Sequence, residues 1–252
     1  MKLNKLLILG LALAVSFSSC KDDDESTPSQ SLENAKPSFS ASDTPIELPQ
    51  AMVSSTDPVA QTAVGYVESI NALTTQLSYF DQIPAGATKS TTPIGRKSTN
   101  GRIETDYIVY TWSDGQGSTF AYQVSETTST YVWEFFYQSS PDVDYVKIMR
   151  VEESKLIRSG SLEYYNFFDN TSTDYIIKYT WNEDPDGTLY FDMLTPDNSI
   201  TINAVISPDN SGNIKYYLGG DLYYDISWTS SGTGSWTLYN FDGSVSESGT
   251  WS

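Results

Sequence analysis

Apolar positions along this chain change their spacing twice. Leu6 to Val15 forms an unbroken apolar run behind a short head that holds Lys2 and Lys5. From Val59 the apolar residues recur at steps of four and three, through Ala63, Tyr66, Ile70, Leu73, Leu77 and Phe80. That spacing lines one face of a helix. Thr56 or Asp57 can cap it, Pro58 suits its first turn and Pro84 stops it, so a helix is predicted over 57–83. About 24 residues give roughly 36 Å of helix. A coiled-coil partner would need a longer repeat, because this one ends after about three heptads. The stripe is expected to lie on the chain's own sheet.

Beyond Ile103 the period becomes two. Ile108, Tyr110 and Trp112 alternate with Tyr107, Val109 and Thr111. The same pattern runs through Tyr131–Tyr137, Tyr175–Trp181, Ile200–Ile206 and Leu222–Trp228. Turn clusters such as "SDGQGS", "NEDPDG", "SPDNSG" and "SSGTGS" separate the runs. The fold class is therefore mostly β, an antiparallel meander of about 11–12 strands with the one helix packed on it. So many strands should curl into a barrel, a half-barrel or a sandwich. A weak repeat accompanies the meander. "YIVYTWSDGQGSTFAYQ", "YIIKYTWNEDPDGTLYF" and "YYDISWTSSGTGSWTLY" each carry a tryptophan (Trp112, Trp181, Trp228) just before the turn.

Two stretches lack either period. Residues 20–56 are rich in Ser, Pro, Asp and Glu, a composition that buries too little surface to order itself, and they read as a tether. Residues 85–102 carry Lys89, Arg96, Lys97 and Arg102 with no acid, and read as a solvated connection from helix to sheet. Residues 57–252 are then a single domain.

Charge and chemistry narrow the function. The chain has 32 acidic and 14 basic residues, a formal charge of −18, and no histidine. Removing residues 1–19 takes away Lys2 and Lys5 and no acid, so −18 becomes −20. Electrostatic binding of nucleic acid is excluded by that balance. Without histidine there is no Ser-His-Asp triad and no histidine-ligated metal site, and no cofactor is expected. Carboxylate chemistry remains, as in glycoside hydrolases, but acids in turns carry no specificity, and a non-catalytic protein is expected. Asn182, Asp184 and Asp186 fit the opening of a calcium loop with Gly187 at its sixth position. Met193 stands where a bidentate Glu belongs, and an ordinary hairpin turn explains the same residues. Tyr and Trp are abundant in the strands. Tyr110, Trp112, Tyr179, Trp181, Tyr224 and Trp228 are the candidate ligand-binding residues, set against the ordinary use of aromatics to stabilise sheets.

Three resemblances complete the reading. The basic head, apolar run and "SSC" at Ser18-Ser19-Cys20 resemble a bacterial lipoprotein signal, with Phe17 where that pattern favours Leu. The resemblance implies that Cys20 becomes the acylated first residue of the mature chain. The run Lys21-Asp22-Asp23-Asp24-Glu25 resembles the signal that exports some Gram-negative lipoproteins to the cell surface, which implies an outer-membrane anchor through acyl chains. The order of tether, helix and long meander resembles the lipid-carrier half-barrels and lipocalin-like barrels of envelope lipoproteins. That likeness implies a non-catalytic binding protein for a hydrophobic ligand. A glycan ligand, or docking on an envelope protein partner, are the other expectations.

Overall fold

The computed structural model describes residues 30–37, 45–77, 82–95, 106–166 and 174–252. The leader 1–19, Cys20 and the Lys21–Glu25 run lie outside the described residues, as do Phe80, Arg96, Lys97 and Arg102. Among the described residues three helices precede thirteen strands. The helices are α1 (Gln30–Glu33), α2 (Gln50–Val53) and α3 (Pro58–Leu77). The strands are β1 (Thr88–Ser90), β2 (Tyr107–Ser113), β3 (Thr119–Glu126), β4 (Thr130–Gln138), β5 (Val146–Ser154), β6 (Ser159–Tyr165) and β7 (Tyr175–Glu183). They continue with β8 (Leu189–Leu194), β9 (Ile200–Ile206), β10 (Gly212–Leu218), β11 (Asp221–Trp228), β12 (Gly234–Tyr239) and β13 (Val245–Trp251).

Each strand pairs antiparallel with the next, in the order β1 to β13, within one sheet. The sheet stays open, because β1 is paired to β2 at one edge and β13 to β12 at the other. Strands β2–β13 fall where the period-two pattern places them. The additional strand, β1, lies inside the connection expected at 85–102, with Thr88–Ser90 aligned on Val109–Thr111.

Asp57 caps α3, its Oδ1 accepting from the backbone N–H of Val59 at 2.8 Å and of Ala60 at 3.1 Å. Pro58 occupies the first helical position, where a missing N–H costs nothing. The buried stripe is broader than the expected one. Ala60, Val64 and Val67 are buried beside Val59, Ala63, Ile70, Leu73 and Leu77. A broad stripe is what a helix lying in a trough requires, because its flanks are covered as well as its underside.

The trough follows from dimensions. Thirteen strands about 4.8 Å apart would make a flat sheet roughly 58 Å wide. The 20 residues of α3 reach only about 30 Å. Even so, Ile108 on β2 and Trp251 on β13 belong to one core cluster with α3. The helix lies across the strands, with α1 and α2 beside it in the same cluster, and a sheet of so many strands curls rather than staying flat. Gln76 near the end of α3 accepts a hydrogen bond from Tyr164 on β6, while the charge of Asp57 is felt by Tyr224 on β11.

Curling is helped by tryptophans set opposite glycines. Trp181 faces Gly160, Trp228 faces Gly212, Trp251 faces Gly234 and Trp236 faces Gly249 in the cross-strand register. Each indole lies where the glycine side chain would be, so large and small residues interdigitate on the concave face. Two of the rings are also pinned at their edges. Trp228 Nε1 donates to the Asn210 carbonyl and Trp251 Nε1 to the Gly232 carbonyl, both at 2.8 Å. Asn210 and Gly232 both have positive φ, 65° and 89°.

The stretch expected as a tether to Thr56 contains docked structure. Leu32 of α1 and Met52 of α2 are fully buried in the core cluster. Trp133 Nε1 donates to the Ala35 carbonyl at 3.3 Å, Lys89 pairs with Glu33, and Asn71 exchanges two hydrogen bonds with the Ile46 backbone. Single apolar residues in polar surroundings supply these anchors, too few to produce a period.

Gly234→Ala is expected to destabilise the fold by about 1–3 kcal/mol through overpacking. Its Cβ would lie 2.0 Å from Trp251 Cζ2 and 2.5 Å from the Ser227 carbonyl. Gly65→Ala, on the exposed side of α3 with nothing within 4 Å, is expected to stabilise by about 0.5–1 kcal/mol. Urea melts of the two variants check both signs.

Candidate functional site

The other face of the sheet, the convex one, is built from the residues that alternate with the core; on β2–β4 it carries the buried Tyr107, Val109, Ala121 and Phe136, and beside them polar side chains stand in rows. Gln123, Glu134, Arg150, Glu163 and Lys178 are successive cross-strand partners from β3 to β7. Opposite charges placed opposite one another hold adjacent strands in register. Gln123 Nε2 donates to Glu134 Oε2 at 2.8 Å, and Lys147 Nζ reaches Glu134 Oε1 at 2.8 Å. Arg150 sits between Glu134 and Glu163, at 4.0 Å and 3.7 Å. Lys178 Nζ and Tyr165 OH both donate to Glu163, at 2.9 Å and 2.6 Å. Glu134 and Glu163 are buried, and the backbone N–H of Ile94 crosses over to Gln123 Oε1 at 2.7 Å.

The ladder lowers the Glu163 carboxyl. Burial alone would raise the Glu163 carboxyl. Hydrogen bonds from Lys178 and Tyr165, with the charges of Lys178 and Arg150, outweigh it and keep the group below its ordinary value of 4.5. Burial, and then the bond to Glu163, push the Tyr165 hydroxyl well up. Burial likewise takes Tyr164 to about 12. Asp114, Asp186, Asp197, Asp209 and Asp242 are also lowered, each by hydrogen bonds from the residue two places on, headed by Gln116, Thr188, Ser199, Ser211 and Ser244. These acids close turns.

A second row is open to solvent. Tyr190, Val205, Asn213, Ser227, Ser235 and Thr250 are cross-strand partners in turn from β8 to β13. Tyr190 is 41 % exposed. Asn213 Nδ2 donates to Asp225 Oδ1 at 2.6 Å and to Ser227 Oγ at 2.9 Å. The row ends in a shallow depression of ≈ 400 Å³ lined by Ser227, Trp228, Thr229, Thr233, Gly234, Ser235, Thr250 and Trp251. Five of those eight residues carry hydroxyls, so the depression offers donors and acceptors that rotate to suit a polar ligand.

Of the six aromatic candidates, only Trp228 lines this depression. Tyr110, Trp112, Tyr179 and Tyr224 are half-buried against the core, and Trp181 and Trp228 belong to it. Trp112 stacks with Phe120 at 6.0 Å and meets Phe135 at 5.7 Å, Tyr179 meets Phe191 at 5.7 Å, and Tyr224 meets Trp236 edge-on at 5.9 Å. All six lie on the face of the sheet that carries the core cluster. Asn182, Asp184 and Asp186 form the β7–β8 turn. Asp186 Oδ1 accepts from the Thr188 N–H at 2.9 Å, Asn182 donates to Asp184 at 3.2 Å, and Gly187 supplies the positive φ of 88°. Among the described residues no group of three or more Asp, Glu, Cys or His is placed to hold a metal ion.

Sequence reasoning missed the residues of the open row. Their signal was the small polar partner beside each C-terminal tryptophan, in "SWT" at 227–229 and 235–237 and in "GTW" at 249–251.

The pH dependence of the ladder is testable. With the folded pKa below the unfolded one, the Glu163 carboxylate contributes its full stability above the unfolded value and loses it as pH falls through the folded value. Glu163→Gln is expected to lower stability at neutral pH by about 1–3 kcal/mol. It should also flatten the decline below pH about 4.5, where that carboxyl would titrate; thermal melts of both proteins across the acid range check this. No protein-family profile and no curated protein matches this chain.

Proposed function

We propose that the protein is a lipid-anchored, non-catalytic binding protein of the cell envelope, and that its ligand is a glycan held on the convex face of the sheet. One observation carries the reading. A single register row joins an exposed aromatic ring, Tyr190, to the amide of Asn213 and the hydroxyls of Ser227, Ser235 and Thr250, and ends in the ≈ 400 Å³ depression. Sugars offer apolar C–H faces to an aromatic ring and hydroxyls to amides and alcohols, which is the chemistry of that row. The glycan is favoured over a hydrophobic ligand because Val59, Ala63, Val67, Ile70 and Leu73 of α3 occupy the apolar trough where a lipid would lie. The lowered carboxyls support a non-catalytic role, since a general acid needs a raised value.

Docking on an envelope protein is the second reading, supported by the open sheet edge. β13 runs for seven residues with β12 on one side, and its outer backbone groups can accept an added strand.

Anchoring is tested through Cys20. The Cys20→Ala chain is expected to lose the acyl mass and to move from the membrane to the soluble fraction. That soluble full chain is then screened on a glycan array and titrated with the best binder. Ser235→Trp, which fills the depression, and Tyr190→Ala are each expected to weaken binding by about tenfold or more, or ~1.4 kcal/mol, with melting temperature unchanged. Phospholipid found by native mass spectrometry on a chain that binds no glycan would overturn the assignment. Binding that survives both substitutions would place the ligand elsewhere.

A further inference from the structure

The two edges of the sheet are built differently. At one edge β1 is three residues long with Lys89 at its centre, and short length and a lysine both discourage a further strand. At the other, β13 runs for seven residues, Val245–Trp251, with neither Lys nor Pro. All of them but Gly249 and Trp251 are exposed.

Trp236 marks this second edge as incomplete. Its ring lies over Gly249 of β13, where a Cβ would stand 2.8 Å from Nε1. Trp228 and Trp251, set over glycines in the same manner, donate Nε1 to carbonyls of the neighbouring turns. Trp236 Nε1 is buried, and among the described residues it has no hydrogen-bond partner. A buried donor left in that state calls for an acceptor. A strand added beside β13 would bring one at the position facing Gly249, because facing side chains start only about 5 Å apart.

β13 itself carries the matching group. Glu247 shares the face of Gly249, since it is aligned on Leu238, which is aligned in turn on Tyr224 of the core face. Glu247 is exposed, and its carboxylate is in no ion pair among the described residues. An inward charge on an edge strand ordinarily keeps other strands away. A second β13 laid antiparallel over the full seven residues changes that. Ser248 then faces Ser248, and Glu247 of each copy faces Gly249 of the other. Each carboxylate stands beside the Nε1 that lacks an acceptor, twice over by symmetry, and no like charges are directly opposed.

We propose that two copies of this chain pair through β13 and join their thirteen-strand sheets into one, with Trp236 of each donating to Glu247 of the other. The strand's own charge fits the strand's own orphaned donor, which assigns the edge to a second copy rather than to an unrelated strand. The contact uses β13 of both copies, so assembly closes at two. A dyad normal to the sheet keeps both convex faces on one side and sets the two hydroxyl rows on a common surface. The pairing does not depend on what those rows bind.

The full chain carrying Cys20→Ala has no other cysteine, so a single introduced thiol reports on the dyad. Sedimentation equilibrium should show a monomer–dimer equilibrium. Under mild oxidation Ser248→Cys should crosslink to itself about tenfold faster than Thr250→Cys, because residue 250 faces Ser246 of the other copy and lies beyond disulfide reach of its own equivalent. Glu247→Ala, an exposed change that leaves the melting temperature of the monomer unaltered, should weaken the dimer about tenfold or more. Trp236→Phe, which keeps a ring over Gly249 but removes the donor, should do the same. A chain that stays monomeric at millimolar concentration, equal crosslinking at 248 and 250, or a dimer indifferent to Glu247→Ala each overturns the pairing. Crosslinking of Ser248→Cys to a different envelope protein in intact cells also overturns it, and gives the edge to the second reading above.

Discussion

Covering one face of a thirteen-strand sheet with a helix about half as long as the sheet is wide governs the rest of the architecture, and Leu32 of α1 and Met52 of α2 complete the cover that α3 begins. A sheet of so many strands coils rather than lying flat. Coiling crowds the concave side, and crowding is relieved by placing Gly160, Gly212, Gly234 and Gly249 opposite tryptophans. Those glycines weaken their strands intrinsically. The indoles compensate by filling the vacated space, and the bonds to Asn210 and Gly232 fix two of them against the neighbouring turns.

How much of this was legible depended on whether the information was local. The period of α3, its Asp57 cap and its Pro58 start are properties of neighbouring residues, and the strands announce themselves by alternation within a few positions. Register is not local. That Gly234 faces Trp251 follows only after β12 and β13 are aligned, and the row from Tyr190 to Thr250 crosses six strands that span sixty residues. Period two also defines two faces without saying which one a helix will cover. Tyr110, Trp112, Tyr179 and Tyr224, expected to bind ligand, lie on the face that carries the core cluster. Docking of α1 and α2 rests on Leu32 and Met52, helped by Ala35, Ile46 and Leu48, too few apolar residues for composition to argue against a tether.

The acidic surplus is sorted by position. At the turns, Asp114, Asp186, Asp197, Asp209 and Asp242 bind the residue two places on and shape the hairpins. On the convex face, Glu134 and Glu163 alternate with the cations of β5 and β7 and hold the central strands in register. The turn aspartates and Glu163 are held below their ordinary values by these hydrogen bonds. The last strands add a hydroxyl-rich row on the same face, beside Asp192, Lys215 and Asp225, and this is the surface of the proposed recognition.

Convexity then constrains what such a surface can bind. A ligand lying on the outside of a curled sheet is contacted from one side, so each contact is weak and little of the ligand is enclosed. Affinity on a surface of this kind comes from repetition along a row, and the strands provide it at intervals of about 4.8 Å. A long, repetitive, hydroxylated chain satisfies that geometry, whereas a compact apolar molecule gains nothing from it. The proposed acyl anchor would confine many copies to one membrane, so that weak binding by each copy would sum to firm retention of a polymer spanning several of them. A filled core and an exposed polar row are thus two consequences of one choice, the use of the protein's own helix to occupy the inside of the sheet.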